Sequence, residues 1–218
     1  MQKRLIIILL SLVVGLTTCN RGKITEVPTG ELRNPEYDVF SAFVASKFAD
    51  RKNKEPLEPV GNGLVKIVIS DTTQSGDDEG LHDESGRPIP WEKTAEALRK
   101  KAPTLQQTTI DSFRGVNAKQ ASLRRSFHSA IDYELVDSTK IDSILTNKGD
   151  PWGAYYKQFP GSQGILTFSR VGFSADGRQA LFYVSNRCGG LCGGGTYVVM
   201  ENSNGRWIIE KEIEKWIS

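Results

Sequence analysis

Cys188 and Cys192 stand in the stretch Asn186-Arg-Cys-Gly-Gly-Leu-Cys-Gly-Gly-Gly-Thr-Tyr197, and their type and spacing point most directly at chemistry. Three residues separate them, so the two-residue spacing of thioredoxin-like redox motifs is absent. Nor does the context place either thiol at a helix N-terminus, where its pKa would fall. Zinc would need two ligands beyond two thiolates, and the two histidines, His82 and His128, both lie far from the loop in sequence. In an oxidising compartment, two thiols at the ends of a hairpin loop pair. The intervening glycines remove the steric obstacle to bringing their Cα atoms within disulfide range. A structural Cys188–Cys192 disulfide is therefore the favoured reading, contributing about 2 kcal/mol or less because the ring is small. A redox or metal role and unpaired thiols are the alternatives. The glycines could form an anion-binding nest. However, no P-loop ending follows, and TYVVM reads as a strand where a dinucleotide fingerprint needs a helix. A wide turn or bulge at the end of a sheet is the simpler account.

Acid–base chemistry has fewer candidates. His128 and Asp132 are four apart, with Ser126 preceding them. A Ser-His-Asp triad is nonetheless disfavoured, since triads are assembled from separated segments and no nucleophile elbow surrounds Ser126. A surface His–Asp contact is the plainer reading. Asp71 falls at the end of a predicted strand, where it serves either a site or a turn or helix cap. The acidic stretch GDDEGLHDESG lacks the ligand periodicity and closing glutamate of an EF-hand and reads as a solvated loop. No cofactor and no metal are expected.

Hydrophobic residues at 38% with 9% aromatics suffice for a packed core. The formal charge is +2, from 28 basic and 26 acidic residues, and two of the bases, Lys3 and Arg4, lie in the first eighteen residues. The remainder has no net charge, which argues against a nucleic-acid partner. Short clusters such as Arg99-Lys100-Lys101 read as solvated helix surface.

Residues 1–19, MQKRLIIILLSLVVGLTTC, begin with bases and continue as an apolar run from Leu5 to Leu16. That run suits a signal-peptide core better than a bilayer span. With Leu16-Thr17-Thr18-Cys19 after it, the leader resembles those of bacterial lipoprotein precursors. The resemblance implies cleavage before Cys19, acylation of its thiol, and a membrane as partner through that anchor. Multiple acyl chains hold a protein durably. Asn20 after the cysteine favours, by the same analogy, the periplasmic face of an outer membrane where the cell has one. The expected organisation is a signal peptide over 1–18, a lipidated polar tether over 19–33, and a single domain over 34–218.

Elements must position these residues. Asn34-Pro35 opens a helix that carries Phe40, Phe43, Val44 and Phe48 at helical spacing. A strand is expected over Gly63–Ser70, helices over Trp91–Lys101 and Thr104–Arg114, a short strand over Tyr133–Val136, and helices over Thr139–Leu145 and Pro151–Phe159. From Gly164 onward, strands separated by short turns, among them Ser174-Ala-Asp-Gly177, argue an antiparallel meander of four strands. The fold class is α+β, with that meander packed against helices on one face, in a cystatin-like or NTF2-like curved sheet. The C-terminal run also resembles the ends of exported bacterial proteins, a likeness that implies no activity. The function expected is a lipid-anchored, non-enzymatic binding or accessory domain of the cell envelope. Its partner would be an envelope protein, a glycan or a small ligand. The alternatives are a hydrolase using His128 with Asp71 or Asp132, and a thiol-redox protein using Cys188 and Cys192.

Overall fold

Alternation of side chains along the strands decides how the layers stack. The computed structural model describes residues 34–48, 66–75, 89–128 and 132–218, and the leader, the tether and the acidic loop lie outside them. Among the described residues are five helices: α1 (Asn34–Phe48), α2 (Trp91–Lys101), α3 (Gln107–Val116), α4 (Ser138–Leu145) and α5 (Pro151–Gln158). The strands are β1 (Lys66–Ser70), β2 (Tyr133–Val136), β3 (Ser162–Phe168), β4 (Gly172–Phe173), β5 (Gln179–Gly189), β6 (Cys192–Ser203) and β7 (Arg206–Ile217). They form one sheet in the order β2-β1-β3-β5-β6-β7, with the short β4 also pairing with β5.

The expected meander is present as β3, β5, β6 and β7, all antiparallel. Two features differ from expectation. The early strands β1 and β2 join the same sheet, with β1 parallel to both β2 and β3, so the sheet has seven strands rather than four. Parallel neighbours need long crossovers, and the segments carrying α2 with α3 and α4 with α5 supply them. Helices also cover both faces rather than one. Ile67, Ile69, Leu166, Phe168, Phe182, Val184, Val198 and Met200 point to one face and pack with α1. Their sequence neighbours point to the other and pack with α2 to α5. That double coverage explains why β5 reads as an unbroken apolar run, LFYV.

On the first face, Phe40 of α1 lies tilted against Phe168 at 4.6 Å and meets Phe182 edge-on at 5.6 Å between ring centroids. Glu36 in the first turn is fully buried, where its carboxylate accepts from Arg170 Nε and Nη2 at 3.3 and 3.2 Å and from the Val171 N–H at 3.1 Å. This buried pair pins α1 to the break between β3 and β4.

The second face carries two separate apolar clusters. One joins α2 and α3 to Leu181, Tyr183, Tyr197, Val199 and Ile213. The other joins α4 and α5 to Val68, Val136 and Ile165.

Candidate functional site

Between these two clusters the residues facing the second side change character. On β1, Val68 gives way to Ser70; on β3, Ile165 gives way to Thr167; on β5, Leu181 and Tyr183 give way to Ser185 and then Arg187. Ser70, Thr167 and Ser185 are all buried, yet they floor a cleft of about 690 Å³. A buried polar side chain costs stability unless it is hydrogen-bonded. The floor hydroxyls of Ser70 and Ser185 are bonded within the chain, donating to Thr72 O and Gln74 Oε1 at 3.3 Å each, and the volume falls in the roughly 300–1,000 Å³ range of ligand pockets.

One wall is the chain leaving the carboxyl end of β1, the usual position of crevices beside parallel strands. Asp71 Oδ1 accepts from the Ser138 N–H and from Thr72 Oγ1, each at 3.0 Å. Asp71 is thus a tie between the end of β1 and the first turn of α4. Asp137 completes that end by accepting from the N–H groups of Thr139 and Lys140. Thr73 is buried, and its Oγ1 accepts from the Ala121 N–H at 2.8 Å. Gln74 donates its N–H to Phe168 O at 2.9 Å, and its Oε1 accepts from Ser185 Oγ at 3.3 Å. Gln120, together with Ser138 and Asp142 of α4, completes this side.

The opposite wall is aromatic and cationic. The β6–β7 register passes from Thr196↔Glu214 to Gly195↔Trp216, so Lys215 is an extra residue on β7. Such a bulge re-aims side chains, and Lys215 and Trp216, neighbours in sequence, both line the cleft. Trp216 Nε1 donates to Tyr183 Oη at 2.7 Å, and Lys215 Nζ lies 5.0 Å from the centre of the Tyr183 ring, a cation–π contact.

The glycines of the opening motif account for the pose of the indole. A Cβ at Gly195 would overlap both Tyr183 Oη and Trp216 Nε1. One at Gly193 would sit 3.2 Å from Cη2 and Cζ3 of Trp216. The two ends of the ring thus lie over two bare α-carbons of β6.

Cys188 and Cys192 are bonded, with Cα atoms 5.0 Å apart, across the Gly190-Leu191 turn joining β5 to β6. The bridge lies next to Arg187, and Tyr156 Oη donates to Cys188 O at 2.7 Å. His128 is exposed and does not lie on a helix, and its N–H donates to Ser41 Oγ of α1 at 2.8 Å. Asp132 is exposed just before β2, and its carbonyl accepts from the Ile67 N–H. Neither residue lines the cleft. His82 and Cys19 lie outside the described residues. Among the described residues, no group of three or more His, Cys, Asp or Glu side chains could hold a metal ion.

No family model, curated protein or solved structure matches this chain.

The sequence reading missed the floor. Its signal was present in KIVIS, GILTF and LFYVSNR, where the position facing the second side turns from aliphatic to hydroxyl on β1 and β3 and from Tyr183 to Ser185 on β5. The pattern becomes meaningful only once β1, β3 and β5 are known to be neighbours. Lys215 was not legible either, because only the bulge in β7 turns it inward.

Proposed function

We propose that this protein is a lipid-anchored, non-enzymatic binding domain of the cell envelope whose ligand occupies the polar cleft. The observation that carries the binding half is the buried hydroxyl floor of Ser70, Thr167 and Ser185, set between two apolar clusters. Hydroxyls, amides and backbone groups at fixed positions orient a polar ligand, and the aromatic wall supplies contact area. The anchoring half rests on the leader and Cys19. No helix among the described residues is long and apolar enough to cross a membrane. The cystatin-like or NTF2-like curvature belongs to this reading only for β3 to β7, where bulges at Glu210 and Lys215 bend the edge strand.

Two experiments test the reading. Thermal-shift screening of the 218-residue chain against polar small molecules and glycan fragments should give stabilising compounds whose effect is lost in Thr167→Val and Ser185→Ala. A panel without such compounds, or effects indifferent to both variants, contradicts the cleft. Fractionation of cells expressing Cys19→Ser should find the protein released from membranes; retention in the membrane fraction contradicts the anchor.

A further inference from the structure

We infer that the ligand of this cleft is a saccharide bearing a carboxylate; this rests on the reading of the cleft as a binding site. Three features of the lining converge on that class. Trp216 is half-buried, lies over Gly193 and Gly195, and lines the cleft, so it offers an aromatic plate beside a polar floor. A flat apolar plate of this kind suits the C–H face of a pyranose ring, which a purely ionic ligand lacks. The floor and near wall then offer donors and acceptors in number: Ser70, Thr167, Ser185, Thr72, Gln74 and Gln120. Hydroxyls and primary amides both donate and accept, as sugar hydroxyls do. An apolar ligand would displace water from this polar lining and offer no hydrogen bond in return, which is costly.

The third feature is charge. The cleft is lined by two cations, Arg187 and Lys215, against one carboxylate, Asp142, which is exposed on α4. Among the described residues no carboxylate pairs with the Arg187 guanidinium. A planar guanidinium binds a carboxylate bidentately, with a fork geometry that an ammonium cannot match. Arg187 and Trp216 reach the same cleft from β5 and β7, with the glycines of β6 between them. Plate and cation therefore address one ligand.

The test is isothermal titration calorimetry on the 218-residue chain with matched pairs of probes. The pairs are N-acetylmuramic acid with N-acetylglucosamine, and tetragalacturonate with its methyl ester, which keeps the rings and loses the charge. Inorganic phosphate and citrate serve as anions without a sugar ring. At least one acid should bind about tenfold or more tighter than its neutral partner, as expected for a charge-assisted hydrogen-bonded pair. Arg187→Gln, at an exposed position that leaves the fold intact, should erase that difference while weak binding of the neutral partner persists. Trp216→Phe should weaken acid and neutral sugars alike. Equal binding within each pair, unaffected by Arg187→Gln, overturns the carboxylate and leaves the cleft reading standing. Binding of citrate or phosphate through Arg187 without binding of either sugar acid overturns the saccharide and likewise leaves the cleft standing. Absence of binding by every probe overturns this inference, and the polar screen above then decides the cleft separately.

Discussion

A side chain at Gly195 would stand where Tyr183 Oη meets Trp216 Nε1, so this glycine is required by its neighbours and not by its own backbone. Gly195→Ala should cost about 1–3 kcal/mol, the usual penalty for forcing atoms into a filled space. It should also shift tryptophan emission, because the indole must leave its bed. Chemical denaturation and fluorescence check both, and an unchanged emission spectrum would argue against the pose. Glu36 offers a second test at this scale. It is fully buried and accepts three donated hydrogens, two of them from Arg170. Glu36→Gln removes the charge that neutralises the guanidinium and should lower unfolding stability by about 3 kcal/mol in urea titrations. At this scale the sequence was informative about which residues were unusual and silent about their partners. The glycines stood out at once, but their purpose depends on Trp216, 21 residues beyond Gly195 and reached only through strand register.

The β5–β6 hairpin shows how much an element reveals in advance. Its disulfide and the apolar parts of its strands were legible locally, since spacing and alternation are properties of contiguous sequence. The wide turn expected over the glycines is instead a two-residue turn, Gly190-Leu191, with Gly193, Gly194 and Gly195 paired inside β6. The pairing of β1 with β2 and β3 was not legible, because parallel partners are set by crossovers and by the packing of helices from distant segments. Segment 117–128 is likewise positioned by distant residues and not by a regular element. It is held against α1 through Tyr37 Oη accepting from the Arg124 N–H and Ser41 Oγ accepting from the His128 N–H. The staple itself closes a small ring, so replacing both cysteines with serine should lower stability by about 2 kcal/mol and leave the far-ultraviolet circular dichroism spectrum native. Complete unfolding of that double variant would show that the bridge does more than restrain a turn.

For the whole molecule, the two ends of the pH range test different parts of the packing. Burial between α5 and β3 pushes the Tyr155 hydroxyl up to about 12, and burial raises Tyr37 and Tyr156 in the same direction. An unfolded tyrosine ionises near 10. Stability should therefore hold below about pH 10 and fall toward pH 12, as the unfolded chain gives up these protons first. Tyr155→Phe should flatten that limb without abolishing it, because Tyr37 and Tyr156 remain; an unchanged slope would show that Tyr155 is not buried as described. At the acid end, hydrogen bonds from Thr139 and Ser174 lead in holding Asp137 and Asp176 below the usual carboxylate range. Their contribution is present above about pH 4 and is lost as pH falls through the lowered values. The α+β class was legible from element order, whereas the two-faced coverage that leaves one polar cleft was not, because it depends on where two apolar clusters stop. That cleft carries the account, and its most direct test is nuclear magnetic resonance of the chain titrated with the sugar acids. The Trp216 indole N–H and the backbone amides of Ser70, Thr167, Ser185 and Arg187 should move together and saturably. Saturable changes confined to other surfaces, with the Trp216 indole N–H unmoved, would contradict it.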